Sequence, residues 1–223
     1  MSELNKKTSS AELTKRIVGM ALFGALAYGV TFVFRIPVSF LTFDAKDAVL
    51  AVAAFIYGPL SALIMALIPS LIEFITISDT GFWGFLMNYV SSAAFCFTAA
   101  AVYRFKRSFN GAIIGLYGSV IVTTGVMMIM NALVTPIYMK VPREMVFELL
   151  PTLLMPFNFA KALMNAAIAL LIYKPVSLAL KRAKLVNGSM NTRFTRMTLV
   201  TLIVGALTLA AAIVIFVILK ANS

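Results

Sequence analysis

Two asparagines flank a lysine in the fifth apolar run of this chain. Asn158 is at i−3 and Asn165 at i+4 from Lys161, so on a helix the three share one face. Roughly 20 Å of helix separates Lys161 from Lys174, too far for the side chain to snorkel easily to an interface. An ammonium in hydrocarbon costs several kcal/mol unless partners or water surround it. Asn131 and Asn88 stand near the outer ends of two other runs. An amide offers two donors and an acceptor, and several beside an ammonium suit a neutral heterocycle with carbonyl and ring-nitrogen edges. Two plainer readings compete. A lone membrane asparagine is a common interhelical staple, and Lys161 paired with Glu73 would serve packing alone. Leaving this many amides unpaired in a dry bundle costs about 1–3 kcal/mol each, which favours a polar ligand pocket. Glu73 itself reads as an interfacial or lysine-paired carboxylate before it reads as a proton relay.

Phe40, Phe43, Phe82, Trp83, Phe85, Tyr89 and Tyr138 gather at the expected outer ends. An interfacial belt explains most of them, and a minority would stack on a flat guest. In the first run, Ala21, Ala25 and Gly29 recur every four residues. Such a face lets another helix approach closely, within the bundle or on a separate membrane subunit.

Other chemistry is excluded by residue type. The chain has no His, which rules out His-ligated zinc or haem and Ser-His-Asp or Cys-His catalysis. Its one cysteine, Cys96, cannot form an internal disulfide. No phosphate-loop motif occurs. We therefore expect a non-enzyme without a resident cofactor or metal.

The elements that hold these residues follow from composition. Of 223 residues, 61% are hydrophobic and 12% charged, against about 25% charged in an ordinary soluble domain. So much apolar surface requires a bilayer. Uncharged runs cover Ile17–Phe34, Ala48–Ile72, Gly81–Tyr103, Gly111–Ile137 and Met197–Leu219, and Leu149–Tyr173 carries only Lys161. From Ala48 to Ser78 the single charge is Glu73, and one helix of that length would measure about 46 Å, against a core of ~30 Å. Gly58-Pro59 is a natural break, so the run divides into a short helix near Ala48–Tyr57 and a longer one near Leu60–Ile77. Two passes also keep Arg104, Lys106 and Arg107 on the same side as Lys6, Lys7, Lys15, Arg16 and the basic segment 174–196, as the positive-inside bias demands. The outer side then holds Asp44, Asp47, Asp79, Glu144 and Glu148. The expectation is an all-α integral membrane protein: a cytoplasmic tail 1–16, a six-helix domain 17–180, a basic cytoplasmic linker 181–196 and an additional C-terminal transmembrane helix 197–219. The polar start is a retained tail, not a signal peptide. Net charge +11 is then a matter of basic loops facing anionic lipid, not nucleic acid.

Three segments carry a resemblance: FDAKDAVLAVAAFIYGPLSALIMALI, NALVTPIY from Asn131, and MPFNFAKALMNA around Lys161. Over about residues 15–180 the chain resembles the substrate-binding (S) components of energy-coupling-factor (ECF) vitamin transporters, most closely the riboflavin type. The resemblance implies a six-helix fold in the bacterial cell membrane and capture of a vitamin from outside. It implies that Asn131, Asn158 and Lys161 bind the isoalloxazine edge; Asn88 and Asn165 are further ligand candidates from the polar pattern alone. A loop at Leu41, Thr42, Phe43 and Asp44 would close over the ligand. The Ala21, Ala25 and Gly29 face would dock on a transmembrane coupling subunit, served by two ATPase subunits. The chain departs from the family pattern by continuing past Arg182 into a further helix. Two alternatives stand beside riboflavin: an S component for another vitamin or heterocyclic precursor, and a stand-alone proton-coupled carrier using Glu73 and Lys161.

Overall fold

The computed structural model describes residues 10–78, 80–182 and 196–221. The helices are α1 (Ser10–Val33), α2 (Lys46–Tyr57), α3 (Pro59–Thr76), α4 (Gly81–Phe105), α5 (Phe109–Met139), α6 (Arg143–Leu149), α7 (Met155–Arg182) and α8 (Arg196–Ala221). An antiparallel hairpin of β1 (Ile36–Val38) and β2 (Leu41–Phe43) joins α1 to α2. Among the described residues, six helical stretches are long and apolar enough to cross a bilayer: Glu12–Val33, Pro59–Thr76, Gly81–Phe105, Asn110–Met139, Arg143–Val176 and Leu202–Ala221.

The short helix α2 is the centre of the bundle. Every residue from Lys46 to Phe55 is buried, and α1, α3, α4 and α7 surround it. A helix apolar on all sides belongs inside, and its alanines let neighbours approach closely. With 12 residues it spans about 18 Å, less than the hydrocarbon core. It can be short because the hairpin that feeds it dips into the bundle. The break expected at Gly58-Pro59 is present. Gly58 has φ +93°, a left-handed value that disfavours any side chain, and Pro59 opens α3.

The tail and the sixth helix differ from expectation. α1 begins at Ser10, not Ile17, because Arg16 is held on the bundle: its guanidinium donates to Tyr57 O at 2.8 Å and to Ser61 Oγ at 2.7 Å. A cation on the last carbonyls of α2 suits the helix dipole there. The segment before Leu149 is also helical. α6 starts after Pro142, and a π turn at Leu150–Leu154 carries it into α7. The wider turn accommodates Pro151, which has no N–H to offer a regular α-helix. Most of the expected linker 181–196 lies outside the described residues, as do Asp79 and the first nine residues of the expected tail.

Candidate ligand site

A cavity of about 660 Å³ opens among the hairpin, α3, α4, α5 and α7. That volume is in the range of small-molecule sites. α7 supplies Phe157, Asn158 and Lys161 to its wall, one helix turn of a single face. α5 supplies Met127, Asn131, Thr135 and Tyr138 at helical spacing. α4 contributes Trp83, Phe85 and Asn88, α3 contributes Ser70 and Glu73, and the hairpin and its exit contribute Phe40, Leu41, Thr42 and Asp44. Among the residues singled out by sequence, the fold thus brings Asn131, Asn158, Lys161, Asn88, Leu41, Thr42 and Asp44 to one cavity.

Lys161 is paired, but not with Glu73. Its Nζ lies 2.6 Å from Asp44 Oδ2 and 3.2 Å from Thr42 O. An ammonium has three N–H donors, so one is left for a guest. Asn131 donates to Met127 O at 2.7 Å and accepts from Thr135 Oγ1 at 3.0 Å. Asn158 donates to Leu154 O at 2.7 Å. Each of these amides thus spends one N–H on its own helix and keeps the other. Phe40, Trp83, Phe85, Tyr138 and Phe157 give the cavity flat apolar walls, with Phe40 and Tyr138 centroids 6.2 Å apart.

Asp44 lies between β2 and α2. Burial pushes its carboxyl pKa up, but the charges of Lys161 and then Lys46, and their hydrogen bonds, outweigh this and hold it below the ordinary value.

Glu73 takes a partner that the sequence did not suggest. Lys46 Nζ reaches its two carboxylate oxygens at 2.8 and 2.7 Å, and Asn88 Nδ2 donates to it at 3.2 Å. Lys46 is fully buried. The signal available was the D-A-K-D spacing against an apolar run, where alternating charges can neutralise one another inside. The Glu73–Lys161 pair on which a proton-coupled carrier would depend does not form.

Two expected ligand residues stand off the wall. Asn165 is fully buried with both ends of its amide engaged: Oδ1 accepts from Ala48 N at 2.8 Å, and Nδ2 donates to Asp44 O at 2.9 Å and Lys161 O at 3.0 Å. The residue capping α2, Ala45, has no side-chain acceptor, so Asn165 satisfies an orphan N–H from another helix. Phe43 also turns away from the cavity. Its ring packs on Phe157 at 5.6 Å and on Phe216 at 4.8 Å. On α1, Ala21, Ala25 and Gly29 are exposed, while Phe23, Ala27 and Thr31 on the opposite face are buried.

Residues 15–177 match the family described as ECF transporter, substrate-specific component. The chain belongs to that family. This S component is 30% identical over 193 residues to the riboflavin transporter RibU of Staphylococcus aureus (strain TCH60), covering 79% of this chain and 98% of the relative. It also matches a solved structure of the S component of a bacterial ECF transporter, with a TM-score of 0.66 and 30% identity over 76% of this chain and 99% of that one. The all-helical, multi-pass membrane fold is that of the family. Helix α8 lies beyond the residues matched to it.

Proposed function

We propose that this S component captures riboflavin at the outer face of the bacterial cell membrane and delivers it inward. It would do so in complex with a transmembrane coupling subunit and two ATPase subunits. The observation that carries the ligand is the convergence of Asn131, Asn158 and Lys161 on one aromatic-walled cavity. Their spare N–H groups suit the carbonyl and nitrogen edge of an isoalloxazine, and the flat walls suit its faces. A relative that is itself named a riboflavin transporter supports the choice. The positive-inside distribution of Lys and Arg supports a cytoplasmic N-terminus and an outward-facing hairpin.

The test is titration of riboflavin fluorescence with the purified full chain in detergent. Saturable quenching at one riboflavin per chain is expected, and excess thiamin or folate should not reverse it. If riboflavin shows no quenching while another vitamin protects the protein against heat, the ligand assignment is wrong and the family assignment stands.

A further inference from the structure

The family accounts for the cavity but not for α8, and α8 touches the cavity's lid. Its inner face is Gly205, Thr208, Ala212, Phe216 and Leu219, which recur at helical spacing and are buried or half-buried. The intervening Leu207, Val214, Val217 and Ile218 are exposed. Gly205 lies against Leu171 and Ala167 of α7, and Thr208 shares a hydrogen bond of 2.7 Å with Tyr117 of α5. The last turns of α8 stay on α7 and also reach the hairpin. Ile215, Phe216 and Leu219 form one apolar cluster with Val38, Phe43, Phe157 and Ala160.

Phe43 sits in that cluster while its neighbours do the opposite. Thr42 and Asp44 line the cavity and hold Lys161. Strand residues alternate in direction, so anchoring Phe43 behind the wall fixes Thr42 and Asp44 in front of it. One side of the anchor is Phe157, which also lines the cavity. The other side is Phe216 alone among the aromatic contacts of the described residues.

We propose that α8 clamps the lid of the ligand cavity, with Phe216 as a positioning residue that acts through Phe43 to hold Thr42 and Asp44 against Lys161. The proposal deepens the riboflavin reading and rests on it for its kinetic arm. A looser anchor lets the hairpin swing out more often. The clamp thus governs how fast the cavity exchanges its contents, not which groups touch them.

The experiment has two arms on the full chain. In stopped-flow, Phe216→Ala should release riboflavin about three- to tenfold faster, from the loss of one close aromatic pair. Phe216→Tyr should restore wild-type release, and the exposed-face Val217→Ala should stay within twofold of wild type. On a Phe43→Ala background, Phe216→Ala should add no further acceleration, because both changes break the same contact. The second arm needs no ligand. A Leu41→Cys reporter should react with a membrane-impermeant maleimide several-fold faster when Phe216→Ala is added; the native Cys96 is fully buried and gives little background. Release and labelling both within twofold of wild type in Phe216→Ala would overturn the clamp. So would equal acceleration on the Phe43→Ala background. If the wild-type chain binds no riboflavin, the functional reading fails and the labelling arm alone decides the clamp.

Discussion

Asp44 and Lys161 stand 117 positions apart in the chain and 2.6 Å apart in space. The pair gives a lysine deep in an apolar helix its counter-ion, because the hairpin carries a carboxylate down to it. It also explains why α2 starts inside the bundle. Asp44 is at once the exit of the hairpin, the counter-ion of a cavity residue and an acceptor for the Lys46 N–H at 3.3 Å. Any displacement of the hairpin would therefore change the electrostatics of the cavity.

A cycle of substitutions separates the structural and ligand roles of this pair. Lys161→Met leaves the buried Asp44 carboxylate with only the Lys46 N–H and the more distant Lys46 ammonium, 4.0 Å away, and should cost up to about 3–5 kcal/mol, and Asp44→Leu should cost a similar amount. The double variant removes both charges and should recover most of the melting temperature. Riboflavin affinity should stay low in the double variant, because the spare N–H is gone. Wild-type affinity in a stable double variant would reduce Lys161 to a counter-ion.

The same pair sets a pH dependence. A carboxylate whose folded pKa is depressed stabilises the fold above its unfolded pKa, and that contribution is lost as pH falls through the folded value. The pKa of Asp44 is lowered, so its pairing is intact throughout the neutral range. Riboflavin affinity should be flat from pH 8 to pH 5 and should weaken only below about pH 4. A midpoint near pH 6 in the fluorescence titration would mean that a different group controls the cavity.

Asn165 yields a prediction of the opposite kind. It closes the N-terminus of α2 and binds Asp44 O, but it does not line the cavity. Asn165→Ala removes a trans cap and leaves buried groups unpaired, at a cost of about 1–3 kcal/mol in stability. Thermal unfolding should record that loss. Saturating riboflavin should still quench fully, because Asn131, Asn158 and Lys161 keep their own partners. Complete loss of binding in a folded Asn165→Ala protein would return this residue to the ligand.

What the sequence disclosed, and what it hid, follows from contrast with surroundings. Lys161, Asn158 and Asn131 were legible because a polar group in an apolar run needs a reason. The break at Gly58-Pro59 was legible because backbone chemistry is local. Partner choice was not: Glu73 and Asp44 are both acids near the same level, and only the dip of the hairpin gives Asp44 to Lys161 and Lys46 to Glu73. Asn165 shares a face with Lys161, and pattern alone cannot tell a cap from a ligand contact. α6 was missed because Arg143, Glu144 and Glu148 look like a loop. The inner face of α8 was hidden because lipid and protein interior are equally apolar, so Phe216 is no different in sequence from the lipid-facing Val217.

The exposed face of α1 carries the last prediction. Ala21, Ala25 and Gly29 lie opposite the buried Phe23, Ala27 and Thr31. A surface of small side chains gives lipid little to grip but lets a partner helix approach backbone to backbone. A bulky ring there would hold the axes apart without reaching the cavity, to which α1 contributes Thr31 from its other side and Arg35 lies beyond its end. Ala25→Trp should therefore leave riboflavin affinity within about twofold of wild type. It should also reduce co-purification with the coupling and ATPase subunits at least tenfold, and ATP-dependent uptake into proteoliposomes with it. Ile121→Trp, on the exposed side of α5, serves as a bulk control and should assemble normally. Normal assembly of Ala25→Trp would mark this face of α1 as lipid-facing and place the docking surface elsewhere.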